Sequence, residues 1–108
     1  MPHPNKASLS PARRRLLELF QRVNFGRLES LAVCNREPVL DPRPIVIREH
    51  KFAGENGPRP EMATDDFLLK QQVVELFAFF DELRDGVINV LEVKHGLPFR
   101  MIVTEVPA

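Results

Sequence analysis

Two stretches of this 108-residue chain, NFGRLESLAV (24–33) and RDGVINVLEV (84–93), carry one pattern twice. Gly26 corresponds to Gly86, and Leu28, Leu31 and Val33 to Ile88, Leu91 and Val93. Each stretch runs into a short polar turn and a proline, NREPV in the first and HGLPF in the second. Upstream, Leu17-Glu18-Leu19-Phe20 aligns with Val74-Glu75-Leu76-Phe77 at a spacing of 57, whereas the later positions are spaced by 60. That difference predicts three extra residues in the second half, around Asp81-Glu82-Leu83. A single helix and hairpin bury too little apolar surface to stand alone, so the repeat predicts two units sharing one core.

The local signals supply the elements. Ser10 followed by Pro11 is a helix start, with a capping hydroxyl and a proline where its missing N–H costs nothing. Leu9, Ala12, Leu16, Leu19, Phe20 and Val23 form one stripe at helical spacing, with Arg14, Arg15, Glu18, Gln21 and Arg22 opposite. The helix ends near Asn24, ahead of Gly26. Residues 27–52 then read as a hairpin turning at Asn35-Arg36. Its return arm is interrupted by DPRP (41–44), since prolines cannot donate to a sheet ladder, and resumes at IVIREHKF (45–52). AGENGPRPEMA (53–63) is a linker. Thr64 with Asp65 and Asp66 signals a second helix start, and that helix is predicted over 64–84. A second hairpin, 87–94 and 97–106, turns at His95-Gly96, where Gly96 supplies a positive φ.

The predicted fold is therefore α+β in the order αββαββ, an internal duplication with two helices packed on one face of a four-stranded, mainly antiparallel sheet. A disordered tail (1–9) precedes one domain (10–108), built of repeats 10–52 and 64–106.

The stretch 16–52 runs helix, Phe25-Gly26, alternating strand, polar turn, return strand and then Arg48-Glu49-His50-Lys51. It resembles the small YezD-like bacterial proteins, which are about one such unit long, and residues 73–105 repeat the likeness more faintly. The turn Asn35-Arg36 and the inserted DPRP depart from that family's pattern. The resemblance implies a bacterial protein and a fold, and no activity.

Functional candidates follow from charge and apolar surplus. Lys and Arg balance Asp and Glu at 15 each, which gives no general pull toward nucleic acid or membrane. The balance is uneven along the chain: residues 1–27 hold six basic side chains against Glu18 alone. Arg13, Arg14, Arg15, Arg22 and Arg27 are thus candidate anion or nucleic-acid contacts, joined by Arg59 in the glycine-rich linker. Pairing with Glu18 at helical spacing is the plainer role for several of them. Tyr and Trp are absent, so the stacking platform of single-strand binders is missing.

The three histidines and the single Cys34 show no metal-binding or catalytic spacing. We expect no cofactor, no metal and no catalysis. One cysteine excludes an internal disulfide, and no apolar run or leader marks a membrane or secretory segment, so the expected location is cytoplasmic. The second helix is apolar over most of its circumference and calls for cover from more than one side. Leu68 and Phe79, beside its polar strip, are the candidate contacts of a homodimer. The sequence thus favours a small non-catalytic interaction or self-association module, with an unidentified protein partner also allowed; the alternative is a nucleic-acid-binding accessory protein using the basic first helix.

Overall fold

The computed structural model describes residues 8–50, 52 and 70–104. The linker 53–63, the predicted helix start at Thr64, and the candidates Arg59 and Leu68 lie outside these residues. The elements are α1 (Pro11–Val23), β1 (Gly26–Cys34), β2 (Glu37–Pro38), β3 (Ile45–Arg48), α2 (Gln71–Leu83), β4 (Gly86–Lys94) and β5 (Leu97–Val103). The fold is α+β: two helices and one antiparallel sheet, in which β2 and β3 pair in turn with β1, β1 with β4, and β4 with β5.

α1 begins as the sequence predicts. The Ser10 hydroxyl accepts from the Arg13 backbone N–H at 3.2 Å and donates to Glu37 Oε2 at 2.7 Å. The hydroxyl therefore caps the helix and ties it to β2. Both helices end alike. Asn24 and Arg84 sit at φ 63° and 64°, and the next residue's N–H reaches back two positions, Phe25 to Val23 O and Asp85 to Leu83 O, each at 2.7 Å. This is a γ-turn with a positive-φ centre, a rare and strained conformation. Each turn is fastened from the opposite hairpin: Gly96 N–H donates to Asn24 O at 3.0 Å, and Arg36 N–H to Arg84 O at 2.8 Å.

Element bounds recur at a spacing of 60, helices included. This corrects the expected helix spacing of 57: α1 and α2 are 13 residues each, and no extra residues occur at 81–83. The length difference lies in the first hairpin instead. β1 pairs with β2 as Val33↔Pro38 but with β3 as Leu28↔Val46, whereas β4 pairs with β5 as Val93↔Pro98 and Ile88↔Val103. The stretch 39–44 accommodates three more residues than its counterpart, because the prolines of DPRP cannot continue the ladder. The central register is also self-consistent under the 60-residue shift, Gly26↔Val93 corresponding to Val33↔Gly86 and Leu28↔Leu91 to Leu31↔Ile88.

The predicted second helix, 64–84, is shorter where described. Lys70 is extended (ψ 157°), so the helix starts at Gln71. Val73 is its first buried residue, which places the start where the core first gives it cover. The strand predicted over 45–52 ends at Arg48. Its partner β1 begins at Gly26, and only the Phe25 carbonyl remains to accept from Glu49 N–H, at 2.8 Å. β5 likewise stops at Val103 rather than 106; Thr104 turns its N–H and hydroxyl onto Asn89 Oδ1, both at 2.7 Å.

One core joins both halves. Leu16, Leu17, Phe20 and Val23 of α1 meet Val73, Leu76, Phe77 and Phe80 of α2 over Leu28, Leu31, Val33, Ile88, Leu91 and Val93 of the central strands. Both helices thus cover the same sheet face. The α1 stripe is wider than the sequence pattern indicates: Leu17 is fully buried, and Gln21, expected on the polar face, is 4% exposed. α1 is covered from two directions, by the sheet and by its neighbours beside it, so a side chain off the stripe is still enclosed. Gln21 Oε1 has no hydrogen-bond partner among the described residues.

Candidate functional site

The arginines of α1 do not act as one patch. Arg13 lies largely inside the molecule, its side chain 15% exposed. It bonds Asp81 Oδ1 at 2.6 Å and the Arg36 carbonyl at 2.9 Å, lies 3.6 Å from Glu37, and covers the Phe77 ring at 5.1 Å. Its charge therefore clamps α1 to α2 and to the first hairpin turn. Arg14 reaches the Leu9 carbonyl at 3.4 Å. Arg27 is on the sheet, bonded to Glu29 at 2.9 Å. Arg15 and Arg22 are exposed on the outer side of α1 and line a groove together. Of the proposed dimer contacts, Phe79 is half-buried and packs against the core from its margin.

The sheet presents a second surface that the sequence reading passed over. Alternation puts the helix-covered residues on one face, and no helix among the described residues lies on the other. Cross-strand pairing sets Ile45, Glu29, Val90 and Ile102 side by side across β3, β1, β4 and β5 on that free face. Val87 stands beside Ala32 one row away. Ile45 is 56% exposed, Val87 48% and Ile102 52%. Solvated faces of antiparallel sheets are normally polar, and contiguous exposed β-branched residues mark a contact surface. The signal was present in the sequence: Val87 and Val90 fall out of phase with the buried Ile88 and Leu91, so the strand is apolar on both faces.

Two ion pairs lie on this face. Arg27 holds Glu29, and Arg100 holds Glu92 through two bonds of 2.8 and 3.2 Å. These four side chains sum to no net charge; Lys94, next after Glu92 in the alternation of β4, is exposed and sets its ammonium 4.1 Å from the centre of the Phe99 ring.

Among the described residues, the thiol and the imidazole of the two hairpin turns have separate roles. Cys34 is exposed at the first hairpin turn, and His95 packs edge-on against Phe25 with ring centres 4.8 Å apart. No group of three or more His, Cys, Asp or Glu among the described residues is placed to hold a metal ion. No described helix is long and apolar enough to cross a membrane. No family model, curated protein or solved structure matches this chain.

Proposed function

We propose that this protein is a non-catalytic interaction module that self-associates as a homodimer through the sheet face opposite α1 and α2. The observation behind this reading is the row Ile45, Glu29, Val90 and Ile102, in which Ile45 and Ile102 are exposed and Val90 half-buried, with the exposed Val87 one row away. A second copy is the favoured occupant because the charged pairs flanking the row are already neutralised. Apart from Lys94 at the end of β4, two such faces bring only paired charges together, and association then rests on apolar burial. The helix contact at Phe79 is the subordinate route, since that side chain already spends part of its surface on its own core.

We infer also that the chain arose as a tandem duplication. The constant spacing of 60, the paired γ-turns and the reciprocal carbonyl bonds at Asn24 and Arg84 support it. Duplication of a self-pairing unit accounts for a central β1–β4 pair that maps onto itself.

Sedimentation at tens of micromolar tests the assembly. The expected mass is about twice the 12.4 kDa of one chain. Val87→Lys with Ile102→Lys is expected to give a monomer of unchanged circular dichroism. A monomeric wild type removes the proposal, and dimers that survive the double substitution but dissociate with Phe79→Glu move the contact to α2. The competing nucleic-acid reading requires binding to mixed DNA or RNA at about 50 mM salt that weakens steeply as salt rises.

A further inference from the structure

A half-open groove of about 510 Å³ runs between α1 and the stretch 40–46, a volume suited to a small organic ligand. Its walls combine two chemistries. Arg15 and Arg22 come from one face of α1, two helical turns apart, and Arg43 comes from the opposite side. Leu19, Leu40 and Val46 line the space between them. Glu18 and Asp41 also border it, so three guanidinium groups face two carboxylates and the balance is positive. All three arginines are exposed and hold no place in the core, unlike Arg13.

Comparison of the two halves sharpens the point. Positions that build the framework keep their character at a spacing of 60: Phe20 and Phe80, Leu31 and Leu91, Pro38 and Pro98. The groove positions do not. Arg15 and Arg22 correspond to Glu75 and Glu82. The cleft between α2 and β5 measures only about 160 Å³. The larger groove exists where residues 39–44 leave the ladder, and its three-arginine lining is reduced in the counterpart to Arg100, which is bonded to Glu92. Neither feature is needed to fold the unit, because the second half folds without them.

We propose that this groove binds an amphipathic anion: a carboxylate or phosphate monoester headgroup held by Arg15, Arg22 and Arg43, with an aliphatic tail along Leu19, Leu40 and Val46. Guanidinium forks match both headgroups in geometry. The apolar lining gives the tail a contact that a free inorganic anion lacks. The site is separate from the proposed dimer face and does not depend on it.

Calorimetric titration of the full chain with decanoate, decyl phosphate, decan-1-ol and inorganic phosphate tests this. Saturable binding of one decanoate or decyl phosphate per chain is expected, the tighter of the two identifying the headgroup. Decan-1-ol and inorganic phosphate should each bind at least about ten-fold more weakly, since each lacks one half of the recognition. Arg15→Gln with Arg43→Gln should weaken decanoate about ten-fold while circular dichroism and thermal midpoint stay unchanged. Equal affinity for decan-1-ol and the tighter of the two anions, an unaltered titration in the double variant, or no saturable binding of either decanoate or decyl phosphate at millimolar concentration overturns the proposal. Heat evolved with inorganic phosphate as strongly as with decyl phosphate also overturns it, because the apolar lining would then have no role.

Discussion

At Gly26 the backbone takes φ +157°, and a Cβ added there would collide with the Ile47 carbonyl oxygen of β3. Gly86 occupies the corresponding place, but its nearest neighbour is the Leu83 Cδ1 at 3.1 Å, the movable end of a side chain. The two glycines look equivalent in sequence and differ in what passes beside them. Gly26→Ala should cost about 3 kcal/mol of unfolding free energy, as overpacking against rigid backbone does. Gly86→Ala should stay within about 1 kcal/mol; urea unfolding of both variants checks the contrast. A second residue-scale difference lies in the hairpin turns. Asn35-Arg36 and His95-Gly96 share positive φ values, 53° and 68° against 54° and 71°. Arg36 thus occupies a conformation that glycine adopts without strain, and its useful contact to Arg13 is made by a backbone carbonyl. Arg36→Gly should stabilise by about 1 kcal/mol, seen as a raised urea midpoint at constant slope.

The helices differ at their starts. Ser10 caps α1 with its hydroxyl, whereas Lys70 holds the same position before α2 and makes no side-chain cap. Its ammonium also stands at the positive end of the helix dipole. Lys70→Asp should add about 1 kcal/mol of stability by supplying an acceptor and a favourable charge, measured by thermal unfolding at low and high salt. Most of the gain should remain at high salt if the hydrogen bond dominates, since screening removes only the dipole part. α2 also illustrates why local signals misplace a boundary. The run from Thr64 to Leu83 has no glycine or proline to interrupt a helix, but in the described part the helix begins at Gln71, two residues before its first core contact. Packing of an apolar face, more than propensity, fixes where such a helix holds.

At the scale of the molecule, a sheet covered by helices on one face leaves the other to water or to a partner. If the Ile45–Val90–Ile102 row is a dimer face, the thermal midpoint rises with protein concentration, because association stabilises only the folded chain. The Val87→Lys, Ile102→Lys chain should melt at one temperature across a hundred-fold dilution series. The sequence by itself determined the helix-and-hairpin order, the turns at Asn35 and His95, the Ser10 cap and the interruption at DPRP, because each follows from a residue's own backbone and hydrogen-bonding chemistry. It also showed the triplets Leu28, Leu31, Val33 and Ile88, Leu91, Val93 as matching apolar sets, although their first step of three departs from two-residue alternation, and in β1 it spans Ser30 at φ 59°. Only the tertiary structure decided that Arg13 is a clamp and Arg15 is free of that duty, that Gln21 is enclosed, and that the three-residue length difference belongs beside α1. Those outcomes depend on which elements lie next to one another in space. A residue's neighbours across 68 positions of chain, as between Arg13 and Asp81, leave no mark on the pattern around either one.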